Sequence, residues 1–198
     1  MILSRFLTAG PACAAVFVLL LSLAAAPLAA QRFEVGVGAG FALPLREFRV
    51  GSKPGLEQEV TLKLQPGESP VAIRLDLTHA AFAGRAAPTF IYPRTRVSGL
   101  AGSAEYDFTG EEESRWRGWA FGGIGAYYTV ADQGTPQILP FGRTYFGLQF
   151  GIGGAYRMGS LNPFIELQYV TVLRSKANVR TLPLLIGIRF GHRGYSGY

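Results

Sequence analysis

From Phe33 the chain alternates with a period of two. Phe33, Val35, Val37, Ala39, Phe41 and Leu43 share one phase, and Glu34, Gly36, Gly38, Gly40 and Ala42 the other. Successive strand side chains point to opposite faces, so this pattern predicts a strand with one apolar face. The pattern returns over 56–64, 71–81, 97–108, 116–130, 144–157, 164–173 and 181–190, giving eight predicted strands. Their apolar faces hold no Asp, Glu, Lys or Arg. The opposite faces hold Glu34, Glu57, Glu59, Lys63, Arg74, Asp76, Glu105, Asp107, Arg117, Arg157, Glu166 and Arg189. A water-soluble barrel carries its charge outside and fills its interior with apolar side chains. Here the charged face is also the glycine-rich one, which suits a narrow, crowded lumen. The predicted sense is therefore reversed: apolar outside, ionic inside.

Composition narrows the choice further. Glycine contributes 26 of 198 residues, charged residues 16% and hydrophobic residues 48%. Ample apolar content with low charge excludes a disordered chain. A single cysteine excludes a disulfide framework. So much glycine argues against a helical domain, because each one in a helix interior costs about 1 kcal/mol. Strand height fits a bilayer: eleven residues tilted at about 45° climb about 26 Å, against an apolar band of about 25 Å. Aromatic residues fall near strand ends, as interfacial girdles require. Phe33, Tyr106, Phe108, Trp116, Tyr156 and Phe190 are expected on one rim, and Phe41, Tyr128 and Phe146 on the other.

Residues 1–30 read as an export signal. Arg5 is the only charge before Arg32, an apolar run spans 14–26, and Leu28-Ala29-Ala30 precedes Gln31. The apolar run is too short for a membrane-spanning helix, which needs about 20 residues. Cleavage is expected after Ala30, leaving a barrel domain over 31–192 and a short tail over 193–198. Cys13 lies before the apolar run rather than after it, so it does not read as a lipoprotein cysteine. The linkers alternate long and short, with 44–54, 83–95, 131–143 and 174–180 as the longer set and 66–70, 109–115 and 158–162 as the shorter. In outer-membrane barrels the short turns are periplasmic and the long loops external. Closure is required, since an open sheet edge would leave unpaired amides in lipid.

The chain resembles the small eight-stranded outer-membrane barrels, the OmpA-like and OmpX-like β-barrel group. The resemblance rests on the leader ending Leu28-Ala29-Ala30, the opening strand Phe33-Glu34-Val35-Gly36-Val37-Gly38-Ala39-Gly40 and the closing Gly187-Ile188-Arg189-Phe190. It implies an all-β fold: an eight-stranded antiparallel up-and-down transmembrane β-barrel, preceded by a signal peptide and placed in the cell outer membrane. It also implies insertion by the outer-membrane assembly machinery, which reads an aromatic-ended last strand. The chain continues past Phe190 to Tyr198. Phe190 is the expected end of that strand, because the alternation stops there.

Little in the sequence points to catalysis, and a non-enzymatic role is expected, with no cofactor and no metal. Gly36-Val37-Gly38-Ala39-Gly40 lacks the spacing of a dinucleotide loop and precedes no helix. Lipid A deacylases built on barrels use a His-x-Ser pair. His79 is followed by Ala80 and Ala81, and His192 by Arg193 and Gly194, so neither has a serine partner in sequence. The run Glu111-Glu112-Glu113 reads as a solvated surface rather than a metal site. The twelve lumen charges read as an internal salt-bridge network that fills the barrel. The longer linkers and their flanks carry Arg46, Arg49, Lys53, Arg85, Arg94, Arg96, Arg143, Arg174, Lys176 and Arg180 against Glu47 and Asp132. The shorter ones carry Glu68 and Glu111–Glu113 against Arg115. Nine of the basic residues (Arg46, Arg49, Lys53, Arg85, Arg94, Arg96, Arg174, Lys176 and Arg180) are candidate contacts for lipopolysaccharide or another surface polyanion. The expected partners are outer-membrane lipid and lipopolysaccharide, with no nucleic acid and a monomeric state. The sequence also leaves room for a narrow channel for ions or small hydrophobic solutes, for a lipid-modifying enzyme and for an exported soluble lipid-binding barrel.

Overall fold

The computed structural model describes residues 31–67, 69–89, 91–109, 114–132, 141–175 and 177–192. The leader, the 193–198 tail, Lys176 and the Glu111–Glu113 run lie outside the described residues. Eight strands form one sheet: β1 (Gln31–Leu45), β2 (Gly55–Pro66), β3 (Val71–Phe82), β4 (Arg94–Asp107), β5 (Trp116–Asp132), β6 (Phe141–Tyr156), β7 (Leu161–Val172) and β8 (Val179–His192). Each pairs antiparallel with its neighbour in sequence. The sheet closes where β1 pairs with β8, from Phe33 opposite His192 to Leu45 opposite Arg180. Both described ends therefore lie at the end of the short turns.

The burial phase matches the alternation. Leu75, Ile152 and Ile186 are 43%, 59% and 65% exposed, whereas Arg74 and Arg189 are 0% and 2% exposed. A water-soluble chain would invert these values. The exterior is an apolar surface that only lipid can cover favourably. Phe33, Tyr106, Phe108, Trp116 and Phe190 are exposed around the rim at the short turns, and Phe41, Tyr128 and Phe146 around the other. Trp116 and Tyr156 meet edge to face at 5.0 Å.

Several strands run longer than the alternation predicts. β8 continues past Phe190 to His192, because Glu34 and Phe33 of β1 still offer ladder partners to Gly191 and His192. The expected stop at Phe190 is thus corrected. β6 ends at Tyr156, so Arg157 falls in the turn that follows. Gly67 and Gly159 turn the short connections with φ of 53° and 69°, in the left-handed region that glycine enters without a Cβ penalty.

Glycine also makes room inside. A Cβ on Gly147, Gly151 or Gly153 of β6 would fall on the rings of Tyr127, Phe121 or Trp119 of β5 respectively. Bare backbone on one strand thus receives the large rings of the next. This is how a small barrel holds the three inward aromatics of β5.

The outer connections are not featureless. A single turn of helix, α1 (Glu47–Gly51), follows β1 and was not predicted. The linkers β1–β2 and β3–β4 are joined by an antiparallel bridge between Ser52 and Gly84. The Lys53 amide donates to the Ala83 carbonyl at 2.8 Å, and the Arg85 amide to the Gly51 carbonyl at 3.0 Å. Arg85 Nε adds a bond to the Ser52 carbonyl at 3.0 Å.

Candidate functional site

Two chemically different halves make up the lumen. Towards the short turns, Arg74 of β3 is the hub. Its guanidinium donates to both oxygens of Glu166 at 2.7 Å, to Asp76 at 2.6 Å and to Glu59 at 2.9 Å. It reaches Glu105 at 3.4 Å and lies 3.9 Å over the Phe121 ring. Arg189 of β8 bonds Glu105 at 3.2 Å and Glu166 at 3.1 Å, with its guanidinium 3.9 Å over Trp119. Lys63 donates to Glu105 at 2.8 Å. Arg117 of β5 pairs with Glu34 at 2.5 Å and with Asp107. Neutral groups complete the set. Gln149 donates to Asp76 at 2.6 Å, Gln168 to Glu59 at 2.5 Å, and Trp119 Nε1 to Glu166 at 2.9 Å.

The alternation places these groups. Glu59, Lys63, Arg74, Asp76, Glu105, Glu166 and Arg189 all occupy the inward phase of five strands, so their charges converge on one axis. Buried charges must pair, and here each cation meets two or more carboxylates. Arg74, Asp76 and Glu105 expose no surface, so side chains fill this layer of the lumen.

Towards the outer loops the lumen turns apolar. Ala42, Ala80, Phe82, Val97, Ala101, Tyr127, Val170, Val172 and Val179 form one cluster, with Phe48 of α1 and Tyr145 packed against it. Phe48 meets Phe82 edge to face at 5.0 Å, so α1 caps this end. A small cavity remains here, bordered by Phe82, Val97, Tyr127, Val170, Val179 and the buried Glu57. The lumen expected to be ionic throughout is therefore ionic only in its inner half. Glu57 is buried but joins no ion pair among the described residues.

Outside this cap the surface is basic. Arg46, Arg49, Lys53, Arg94, Arg96, Arg143 and Arg174 are exposed. The bridged linkers bring Arg49, Lys53 and Arg85 onto one platform. Counter-charge is sparse: Arg180 lies 3.6 Å from Glu47 and Arg96 lies 3.5 Å from Asp132. The Arg174 guanidinium sits 5.3 Å over the Tyr145 ring.

No family model matches the chain, and no curated protein does. Solved structures do. Neisserial surface protein A superposes with a TM-score of 0.61 at 18% identity, covering 80% of this chain and 96% of that one. A major outer membrane protein of Thermus thermophilus gives 0.58 at 16% identity, covering 82% and 100%. Ail, the attachment invasion locus protein of Yersinia pestis, gives 0.54 at 11% identity and covers 81% and 99%. That structure holds the heparin analogue sucrose octasulfate. The chain has the fold of the small eight-stranded outer-membrane β-barrels.

Within this barrel the predicted lumen residues separate into three groups. Glu34, Glu59, Lys63, Arg74, Asp76, Glu105, Asp107, Arg117, Glu166 and Arg189 come together in one network. Glu57 lies a layer above it, in the apolar half. Arg157 is a correction: β6 ends one residue earlier, and Arg157 lies half-buried in the following turn, its amide donating to the Arg115 carbonyl at 2.7 Å.

One pairing could not be read from the sequence. His79 Nδ1 and Ser98 Oγ are 2.9 Å apart on the outward wall, on facing positions of β3 and β4. Nineteen positions separate them in the chain, so a search for adjacent His and Ser misses the pair. Only the strand register reveals it. No carboxylate orients His79 among the described residues. The flanking strand amides are committed to the ladder rather than to an oxyanion.

Proposed function

We propose that this barrel is a non-enzymatic surface-interaction protein whose basic outer end engages polyanions, lipopolysaccharide first among them. Charge segregation supports the reading. The lumen is occupied by paired side chains, which favours a surface role over a conduit, while exposed guanidinium groups with few carboxylate neighbours among the described residues concentrate at the outer end. Guanidinium forks match phosphate and sulfate oxygens two at a time. The heparin analogue held by Ail belongs to the same ligand class. We further infer export by residues 1–30 with cleavage after Ala30, insertion by the outer-membrane assembly machinery, and a monomeric state.

Changing Arg46, Arg49, Arg94 and Arg96 together to glutamine tests the reading. Affinity for lipopolysaccharide and for sucrose octasulfate, titrated onto refolded barrel in detergent, is expected to fall about tenfold or more. The salt dependence should flatten with it, because fewer counterions are exchanged. Unchanged affinity for both ligands overturns the role assigned to the basic end.

A further inference from the structure

The outward wall changes character abruptly across β2–β5. Val60, Leu77, Leu100 and Ala126 face one another across these four strands and form an apolar row. The next outward row towards the loops is Gln58, His79, Ser98 and Tyr128, again in direct register, and each is polar or carries a polar tip. Beyond it Leu56, Ala81, Arg96 and Val130 follow, with Arg96 on the same face as Ser98 and two positions closer to the loops. The opposite side differs. β1 and β8 stay apolar on the outward phase up to Leu43 and Leu182 near their outer ends. The polar row runs on to Thr144 of β6, opposite Tyr128, and is interrupted at β1 and β8.

Polar groups facing hydrocarbon without partners are costly. His79 and Ser98 satisfy one bond between them. That leaves His79 Nε2 and the Gln58 amide without a partner among the described residues. The row lies at the rim that Tyr128 marks, where lipid headgroups come within reach of both groups. Arg96 stands directly above with a half-exposed guanidinium and a single carboxylate neighbour, Asp132, at 3.5 Å. Arg94 follows it on the same face of β4. The order along the wall is hydrocarbon contact, then hydrogen-bonding groups, then guanidinium. That is the order of acyl chain, polar linkage and phosphate in a membrane lipid.

We propose that Gln58, His79 and Ser98 on β2–β4, with Arg96 above them, form a docking site for the phosphorylated sugar headgroup of lipopolysaccharide in the outer leaflet. Arg96 takes a phosphate, and His79 and Gln58 take hydroxyl or acyl-linkage oxygens. The site shares with the proposed function its reliance on the long linkers facing outward, and Arg96 belongs to both.

The test uses the refolded full barrel and a variant carrying Gln58→Leu, His79→Leu and Ser98→Ala. These changes make the row apolar like the wall below it and leave Arg96 in place, and heat-modifiable gel mobility checks that the variant folds. Fluorescent lipopolysaccharide, phosphatidylglycerol, inorganic phosphate and sucrose octasulfate are titrated onto each protein in detergent. The variant is expected to lose about tenfold in lipopolysaccharide affinity, with binding of the other three unchanged. A second variant, Arg96→Lys, keeps the charge but removes the fork and is expected to lose part of that affinity. Lipopolysaccharide binding within twofold of the parent in the triple variant overturns the site. An equal loss for phosphatidylglycerol overturns its assignment to the sugar headgroup. A dimer in the parent that the triple variant dissolves also overturns it, assigning the row to a second copy. Sucrose octasulfate keeps the two readings apart: its binding reports the loops, and the wall variant leaves it intact.

Discussion

Arg74→Met is expected to destabilise the barrel by about 3–5 kcal/mol, the range seen when one partner of a buried ion pair is removed. Arg74 is wholly buried and contacts Glu59, Asp76, Glu105 and Glu166. Methionine fills much of the volume but leaves those carboxylates short of a counter-charge in a buried layer. Glu105 retains Lys63 and Arg189, and Glu166 retains Arg189. Glu59 and Asp76 keep only neutral donors, Gln168 for the first, Gln149 for the second and Thr61 facing both. Adding Glu59→Gln to Arg74→Met should restore part of the loss, because Arg74 is the cation that Glu59 meets and one uncompensated charge disappears. The measurement is the urea midpoint of refolded protein in lipid vesicles, followed by heat-modifiable mobility. A single variant as stable as the parent, or a double variant that merely sums two losses, contradicts the network as the organising element of the lumen.

Second in size is the cost of charge on the outer wall. Leu75, Ile152 and Ile186 are exposed to the outside and stand well away from both aromatic rims. Arginine at any of them should cost about 2–4 kcal/mol in vesicles, falling to about 0–1 kcal/mol at the rim position Phe33. The profile with depth carries the information: an arginine near the rim can extend into water, and one at mid-wall cannot. A flat profile, with mid-wall and rim arginines costing the same, contradicts a bilayer around this surface.

The exterior was readable from sequence because lipid imposes one rule on every residue facing it. No charge falls on the outward phase of eight predicted strands, and Leu75, Ile152 and Ile186 lie where that rule puts them. The interior was readable only in part. The inward phase excludes lipid contact but does not say which inward neighbour a residue meets. Phe82, Val172 and Val179 share the inward phase with Arg74, Glu166 and Arg189, and the alternation treats them alike. Register and stagger separate them into an apolar outer layer and an ionic inner one. Glu57 fell among the apolar group for the same reason. Arg157 was lost by a single residue at a strand end, where pattern reading is least precise. Helix α1 is one turn long, too short for a 3.6-residue period to emerge. The His79–Ser98 pair needed the β3–β4 register, which no local pattern contains.

Inversion of inside and outside is tested most directly with single nitroxide labels on cysteines, in a chain whose only native cysteine, Cys13, is replaced by serine. Labels at Leu75, Ile152 and Ile186 in reconstituted vesicles should be strongly relaxed by oxygen, which partitions into lipid, and weakly by a water-soluble nickel chelate. Labels at Trp116 and Phe146, towards the two rims, should show the balance shifting to the nickel chelate. Strong nickel relaxation at Leu75, Ile152 and Ile186, with oxygen giving no advantage, would mean that water covers this surface, and the membrane-spanning account would be wrong.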